Sequence, residues 1–270
     1  MLRSFEKIVI VSDCDCTLLN SERELPDENV TAIRYFVEHG GHFVLATGRP
    51  RNGAKHILAK LPATPDPSVF FNGALICEGN GGRVLYRDVL PVNAQDIFFN
   101  VINRFGLLVG VEAFTEDEAV ILQDHYYTDI HFKALHEEKK IVDAGYLEGK
   151  SLLKMFVTGE EKTVLSAWEY LSSLYGDRLH IVPSSPNFLE IFSITSGKDV
   201  ALKFLRSYFT EADRFIAVGD SYNDIPMIQC ADSAYCPSNS VDDVKKLAKV
   251  MCSNDEGVFK DIIQDLTDNG

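Results

Sequence analysis

Residues 8–11 read Ile-Val-Ile-Val, an unbroken run of β-branched side chains that ends at once in Ser12-Asp13-Cys14-Asp15-Cys16-Thr17-Leu18-Leu19. The run is too short for a helix and reads as a strand buried on both faces. A strand of that kind needs a sheet with layers on either side. In an extended chain side chains alternate, so Asp13, Asp15 and Thr17 would share one face where the strand ends. Two like charges held together are costly unless something compensates them. A divalent cation is the usual compensation, and Mg²⁺ prefers hard oxygen ligands. Taken alone, the stretch fits a solvated acidic turn equally well.

The pattern recurs along the chain. Leu25-Pro26 lead into a helix expected over 27–39, with Asp27 and Glu28 at its positive end and Val30, Ile33 and Val37 as its apolar stripe. Gly40-Gly41 stop it. A second strand over 42–46 ends in Thr47-Gly48-Arg49-Pro50, and Pro50 suits the first turn of a helix reaching Leu61. A third strand over 68–71 ends at Asn72-Gly73. Strand–helix–strand alternation argues a parallel sheet, and ligands of such sheets gather at the carboxyl ends of the strands. Those ends carry Asp13, Asp15, Thr47 and Asn72. A hairpin over 74–87 follows, turning at Gly79-Asn80-Gly81-Gly82.

From Pro91 the rhythm changes to a helix over 93–105, strands over 107–113 and 118–123, a charged stretch, a strand over 152–157, a helix over 160–175 and a strand over 179–182. This reads as a separate α+β module, with Pro91 on one side and Pro183 and Pro186 on the other as linkers. At Phe188-Leu189-Glu190-Ile191 the first rhythm returns. A helix opens at Gly197-Lys198-Asp199, and a strand over 214–218 ends in Gly219-Asp220-Ser221-Tyr222-Asn223-Asp224. A further helix is expected over 242–250. The expected fold is α/β: a Rossmann-like parallel-sheet core of residues 1–88 and 188–270, with an α+β domain of residues 89–187 inserted in it.

Asp220 and Asp224, with Asn223 between, fall on one side of a helical turn. Alone they read as a turn residue and a helix N-terminal acid. Beside Asp13 and Asp15 in the same sheet they would make four carboxylates at two strand ends, which calls for a metal. Thr47 either caps its helix or, with free backbone N–H groups at the helix start, binds phosphate oxygens. Lys198 sits at a helix N-terminus, where a cation is slightly unfavoured. It is either a solvated lysine or the counter-charge for a bound anion.

Of the 270 residues, 26 are Lys or Arg and 40 are Asp or Glu, a net charge of −14. Such a surface repels nucleic acid and anionic membranes. No stretch approaches the about 20 apolar residues that span a bilayer. No secretion signal is visible, and the six cysteines form no C-x-x-C pair, so reduced thiols in a cytoplasmic protein are expected. Gly145–Ser151 falls one residue short of a P-loop and precedes a strand rather than a helix. His125, His131 and His136, near Asp124 and Asp129, lack i, i+4 histidine spacing and read as solvated surface.

In this order, Asp13-Cys14-Asp15-Cys16-Thr17-Leu18-Leu19, Thr47-Gly48-Arg49, Lys198 and Gly219-Asp220-Ser221-Tyr222-Asn223-Asp224 resemble the four motifs of the haloacid dehalogenase-like phosphatases. Asn72-Gly73-Ala74, Leu189-Glu190-Ile191, Ser238-Asn239 and Asn254-Asp255-Glu256-Gly257-Val258 resemble the Cof-type branch, so the likeness runs over nearly the whole chain. The inserted module resembles that branch's α/β cap, the expected seat of substrate specificity.

The resemblance implies a Mg²⁺-dependent phosphatase for small phosphomonoesters, such as sugar phosphates or a phosphorylated cofactor. Asp13 would be the nucleophile and Asp15 the general acid and base. Mg²⁺ would be held by Asp13, the backbone carbonyl of Asp15, and Asp220, supported by Asn223 and Asp224. Thr47, Gly48 and Lys198 would take phosphate oxygens, with Arg49 and Asn72 near the substrate's entry. A phosphomutase using the same aspartyl-phosphate, or a non-catalytic sugar-phosphate sensor, are the alternatives. The partner would be the small substrate alone, and the chain a monomer or small homo-oligomer. Cys16 stands where the family most often has glycine, and Cys14 where it usually has an aliphatic residue. Both read as packing residues rather than reactive thiols.

Overall fold

The computed structural model describes residues 4–135 and 137–269, so His136 lies outside the described residues. In chain order the elements are β1 (Ile8–Ser12), α1 (Asp27–Glu38), β2 (His42–Leu45), α2 (Arg51–Leu58), β3 (Ser68–Phe70), β4 (Leu75–Cys77), β5 (Val84–Arg87), α3 (Ala94–Phe105), β6 (Val109–Phe114), β7 (Ala119–Gln123) and α4 (Tyr126–Leu135). They continue with β8 (Lys154–Gly159), α5 (Glu161–Tyr175), β9 (Leu179–Ser185), β10 (Phe188–Ser193), α6 (Lys198–Tyr208), β11 (Arg214–Val218), α7 (Ile225–Cys230), β12 (Ser233–Cys236), α8 (Asp242–Lys245), β13 (Lys249–Val250) and α9 (Val258–Asn269).

The chain forms two compact units. One comprises Met1–Gly48, Lys55–Tyr86 and Gly197–Gly270, the other Arg49–Ala54 and Arg87–Ser196.

The first unit is built on a parallel sheet in the order β13-β12-β11-β1-β2. Inside it, between β11 and β2, lies β1, and Val9, Ile10 and Val11 are wholly buried there. That is why the run contains no polar residue: both faces are covered, as parallel sheets require. Val9, Val11, Val44, Phe215 and Ala217 pack with Leu202 and Leu205 of α6 and Met227 of α7. Beyond β2, a single parallel bridge between Ala46 and Val69 connects to a small sheet in the order β3-β4-β5.

The second unit is an antiparallel sheet in the order β7-β6-β8-β10-β9. One face presents Val111, Ala113, Met155, Val157, Leu189 and Ile191 to Ile97 and Val101 of α3 and to Val164 and Leu171 of α5. On α4, His131 and Phe132 meet the ring of Phe114, and His131 also meets Phe156.

Several sequence expectations are displaced. Residues 188–191 do not return to the first unit: β10 pairs with β8 and β9 in the second sheet, and the first unit resumes at Gly197. Leu189 and Ile191 are buried while Glu190 between them is only partly so, the alternation of an antiparallel strand. Pro183 is no linker either. It lies in β9, an edge strand, where a missing N–H is tolerated. The charged stretch conceals α4, whose buried residues are Thr128, Phe132 and Leu135. Over 242–250 only the four-residue α8 forms, and Lys249–Val250 extend the parallel sheet instead. Arg49–Ala54 associate with the second unit rather than the first.

Candidate active site

β1 and β11 are neighbouring parallel strands, with Ser12 paired to Val218. The backbone N–H of Asp13 donates to Val218 O at 2.8 Å. The two acidic loops therefore leave the sheet side by side. On the other flank, Ala46 N–H donates to Ser12 O at 2.7 Å and brings the end of β2 alongside.

Asp13 is buried, Asp224 fully so, and Asp220 partly. One carboxylate oxygen from each lies within 4.8 Å of the others. Into this group reaches Lys198, from the first turn of α6 with its side chain wholly buried. Its ammonium donates to Asp13 Oδ1 and, at 2.6 Å, to Asp224 Oδ1. Thr17, which shares the loop with Asp13, donates its hydroxyl to Asp220 Oδ1 at 2.8 Å. Asp224 Oδ2 accepts the backbone N–H groups of Asp220 and Ser221, each at 3.0 Å. Both oxygens of Asp224 are thus engaged. It shapes the acidic loop and holds Lys198, a more specific task than the support of a cation expected from sequence.

Three carboxylates face a single ammonium. Burial, more than any other influence, pushes the Asp13 carboxyl well above the usual range. Asp224 and Asp220 add to this, and Lys198 opposes it. Asp220 is pushed up to about 6, again chiefly by burial. Burial alone would lower the Lys198 ammonium, but the charges and hydrogen bonds of Asp13 and Asp224 outweigh it and hold the group protonated. Hard oxygen donors in a buried group with excess negative charge fit Mg²⁺.

The other expected residues sort into three groups. Asp15 is partly buried on the turn after Asp13, and its carboxylate is not part of the three-carboxylate group found among the described residues. Thr47 is buried; its N–H donates to Val69 O at 2.9 Å, and its carbonyl accepts Asn72 N–H at 2.9 Å. A Cβ at Gly48 would lie 2.9 Å from Asn72 Oδ1. Asn223 Nδ2 donates to that same oxygen at 3.2 Å, so Asn72 touches both neighbouring loops. Arg49 belongs to the second unit, where it is buried and its guanidinium reaches Gly53 O at 3.4 Å.

Cys14 is buried, as a packing residue should be. Cys16 adopts φ 59°, the left-handed region that glycine enters freely and other residues enter at a cost. Its thiol is pushed up, first by burial and then by Asp220, Asp15 and Asp13, which disfavours the reactive thiolate.

The sequence reading did not assign a role to three asparagines that fasten the Asp13 loop. Asn239 Nδ2 donates to Cys16 O at 2.9 Å, Asn29 Nδ2 to Leu18 O at 2.8 Å, and Asn254 Nδ2 to Leu19 O at 3.0 Å. Asn29 in turn accepts Phe259 N–H at 2.9 Å, and Asn239 accepts Asn254 N–H at 3.1 Å. Asn239 and Asn254 lie in segments that already resembled the Cof-type branch. Asn29, in the first turn of α1, carried no local signal.

A family model of haloacid dehalogenase-like hydrolases matches residues 10–262. The chain belongs to that family. As a member it is an enzyme, and the expectation of a phosphatase of this family holds. It is 30% identical over 270 residues to the chloroplastic endoribonuclease YBEY of Arabidopsis thaliana, covering 94% of this chain but only 45% of that relative. It is 24% identical over 258 residues to the 5-amino-6-(5-phospho-D-ribitylamino)uracil phosphatase YitU of Bacillus subtilis, covering 92% of this chain and 93% of that one. Among solved structures, TM0651 of Thermotoga maritima matches with a TM-score of 0.83 at 23% identity, over 95% of this chain and 96% of that one. The α/β class, with its parallel core sheet and additional antiparallel sheets, agrees with that likeness.

Proposed function

We propose that this hydrolase cleaves small phosphomonoesters in two steps through an aspartyl-phosphate on Asp13, with Mg²⁺ bound at the acidic group. The observation that carries the reading is Lys198, buried and bridging Asp13 to Asp224. A sensor would need a cation to hold phosphate, but it would not need that cation locked onto a buried carboxylate. Locked there, the ammonium opposes the burial that disfavours a charged Asp13 and aims the carboxylate while an anionic substrate approaches.

In this reading an Asp13 oxygen attacks phosphorus as the alkoxide leaves, and Asp15 supplies the leaving group's proton. Asp15 then takes a proton from the water that attacks the acyl phosphate, which frees Asp13 and releases phosphate. Lys198, the Thr47 hydroxyl and the Gly48 amide neutralise and position the phosphoryl oxygens, the larger part of catalysis in this class of reaction. Asp13, the Asp15 carbonyl and Asp220 would hold Mg²⁺, with Asn223 and Asp224 beside them. When bound, the ion lowers the repulsion between the phosphoryl group and the carboxylates. The substrate is a small molecule, in keeping with a net charge of −14 that disfavours nucleic acid. Among the described residues no helix is long and apolar enough to cross a membrane.

The test is phosphate release from a panel of sugar phosphates and phosphorylated cofactor precursors, with and without Mg²⁺. Release that needs Mg²⁺, needs no bisphosphate activator and vanishes in Asp13→Asn is the expected result. Undiminished release by Asp13→Asn would refute the nucleophile. Strict dependence on a bisphosphate, without release, would instead make the chain a phosphomutase.

A further inference from the structure

We propose that Asn72 is a positioning residue for the cation site: its side-chain oxygen orients Asn223 toward the acidic group, and it acts on Mg²⁺ binding rather than on the substrate. The inference rests on the Mg²⁺-dependent reading above. It begins with backbone strain. Phe71, Asn72 and Gly73 have φ of 51°, 55° and 103°, three successive residues in the left-handed region. For phenylalanine and asparagine that conformation persists only where the surroundings impose it. Here they do so from three directions.

Asn72 N–H donates to Thr47 O at 2.9 Å, which ties the turn to the end of β2. A Cβ on Gly73 would stand 2.2 Å from Gly197 O, so only glycine lets the turn press against the residue that precedes Lys198. Asn72 Oδ1 accepts Asn223 Nδ2 at 3.2 Å, which ties it to the acidic loop. One strained turn therefore touches the loop of Thr47 and Gly48, the start of the lysine helix, and the loop of Asp220 and Asp224.

A carboxamide can present either its oxygen or its NH₂ to a neighbour, and the hydrogen-bond network decides which. Asn72 Oδ1 accepts from the NH₂ of Asn223, so the oxygen of that amide is left for the opposite side. An oxygen suits a hard cation; an NH₂ there would repel it. Asn72 is 8% exposed, and its side-chain oxygen is engaged by Asn223, so that oxygen serves the acidic loop rather than a substrate. Removing such an outer partner of a ligand typically costs about 10–100-fold in metal affinity.

The test compares three variants of the full chain by calorimetric titration with Mg²⁺ and by steady-state phosphate release. Asn72→Gly removes the acceptor and accepts the left-handed backbone without strain. Asn72→Asp keeps an acceptor oxygen at the same place. Asn223→Ala removes the oriented group. Asn72→Gly is expected to weaken Mg²⁺ binding about tenfold. Its kcat should recover at saturating Mg²⁺, with the KM for substrate within about twofold of wild type. Asn72→Asp should hold Mg²⁺ at least as well as wild type, since it keeps the acceptor and adds negative charge. Asn223→Ala should match Asn72→Gly, and combining the two should add little. Unchanged Mg²⁺ affinity in Asn72→Gly, or a raised KM with Mg²⁺ affinity intact, would overturn the inference while leaving the proposed reaction standing. A wild-type chain that binds no Mg²⁺ would remove both.

Discussion

Lys198→Met tests the electrostatic logic of the site most directly. The substitution keeps an unbranched chain of similar bulk in the wholly buried slot and deletes the ammonium between Asp13 and Asp224. Breaking a buried pair by removing one partner costs about 3–5 kcal/mol, because the remaining charge is left uncompensated. Here two carboxylates lose their donor at once, with Asp220 close by, so the upper half of that range is expected at neutral pH. The loss should depend on pH. Across pH 5 to 8 the lysine stays charged in the native wild type, since its folded pKa lies above the usual 10.5. The pH dependence must then come from the acids. Without Lys198, Asp13 and Asp220 ionise later still, so the native state holds protons that the unfolded chain has released, and stability falls as pH rises. The gap to wild type should therefore be small near pH 4 and widest near pH 8, and Mg²⁺ should close part of it. Hydrogen exchange of the β1 and β11 amides reads this in the first unit. The single tryptophan, Trp168 on α5, reports the second unit and serves as the contrast. A loss below about 1 kcal/mol, or one independent of pH, would refute the compensation of buried charge.

In metal-free wild type, Asp220 with a pKa near 6 rather than 3.8 is a raised acid, so stability should fall as pH climbs from about 4 to about 6; Mg²⁺ should flatten or reverse that slope in urea titrations at fixed pH. Cys16→Gly should stabilise the chain by about 0.5–1 kcal/mol. Leaving the left-handed strain regains roughly 1–2 kcal/mol, and the extra freedom of glycine when unfolded takes back about half. A destabilised variant would mean that the cysteine side chain packs better than its backbone is strained. On the second unit, Glu118 is held to a pKa of about 2 by hydrogen bonds from Lys140, Lys150 and Tyr146, with Lys140 foremost. Its contribution is whole above pH 4.5 and disappears as pH falls toward 2. Glu118→Gln should thus matter at pH 6 and not at pH 2, by about 1 kcal/mol or less and less again in high salt, because the cluster is partly exposed.

In the first sheet β1, β2 and β11 were legible because their runs are largely buried and carry few polar residues, whereas β12 and the exposed β13 were not. The second was harder to place. Leu189-Glu190-Ile191 fits either sheet as a local pattern, and only pairing across the chain assigns it to the second. Pro183 has the composition of a linker, yet an edge strand tolerates it equally well. In α4 the charged residues Asp129 and Lys133, with Asp124 just ahead of the helix, drown the signal of three buried ones. At the site, Asp13, Asp220, Asp224 and Lys198 were readable because each stands where a strand ends or a helix begins. The engagement of both Asp224 oxygens, and the strained turn at Asn72, depend on neighbours distant in sequence that no local pattern reports.

The asparagines that fasten the Asp13 loop imply an order of events in the making of the protein. Asp13 and its loop are made well before their partners: the carbonyl of Leu19 finds its donor in Asn254, 235 positions later. At ordinary elongation speeds that is roughly 10–50 s of translation. β1 waits almost as long for β11, its neighbour on the acidic side. A growing chain therefore carries the Asp13 carboxylate without the scaffold that aims it until residues 214–254 have been made, and the acidic group assembles only then.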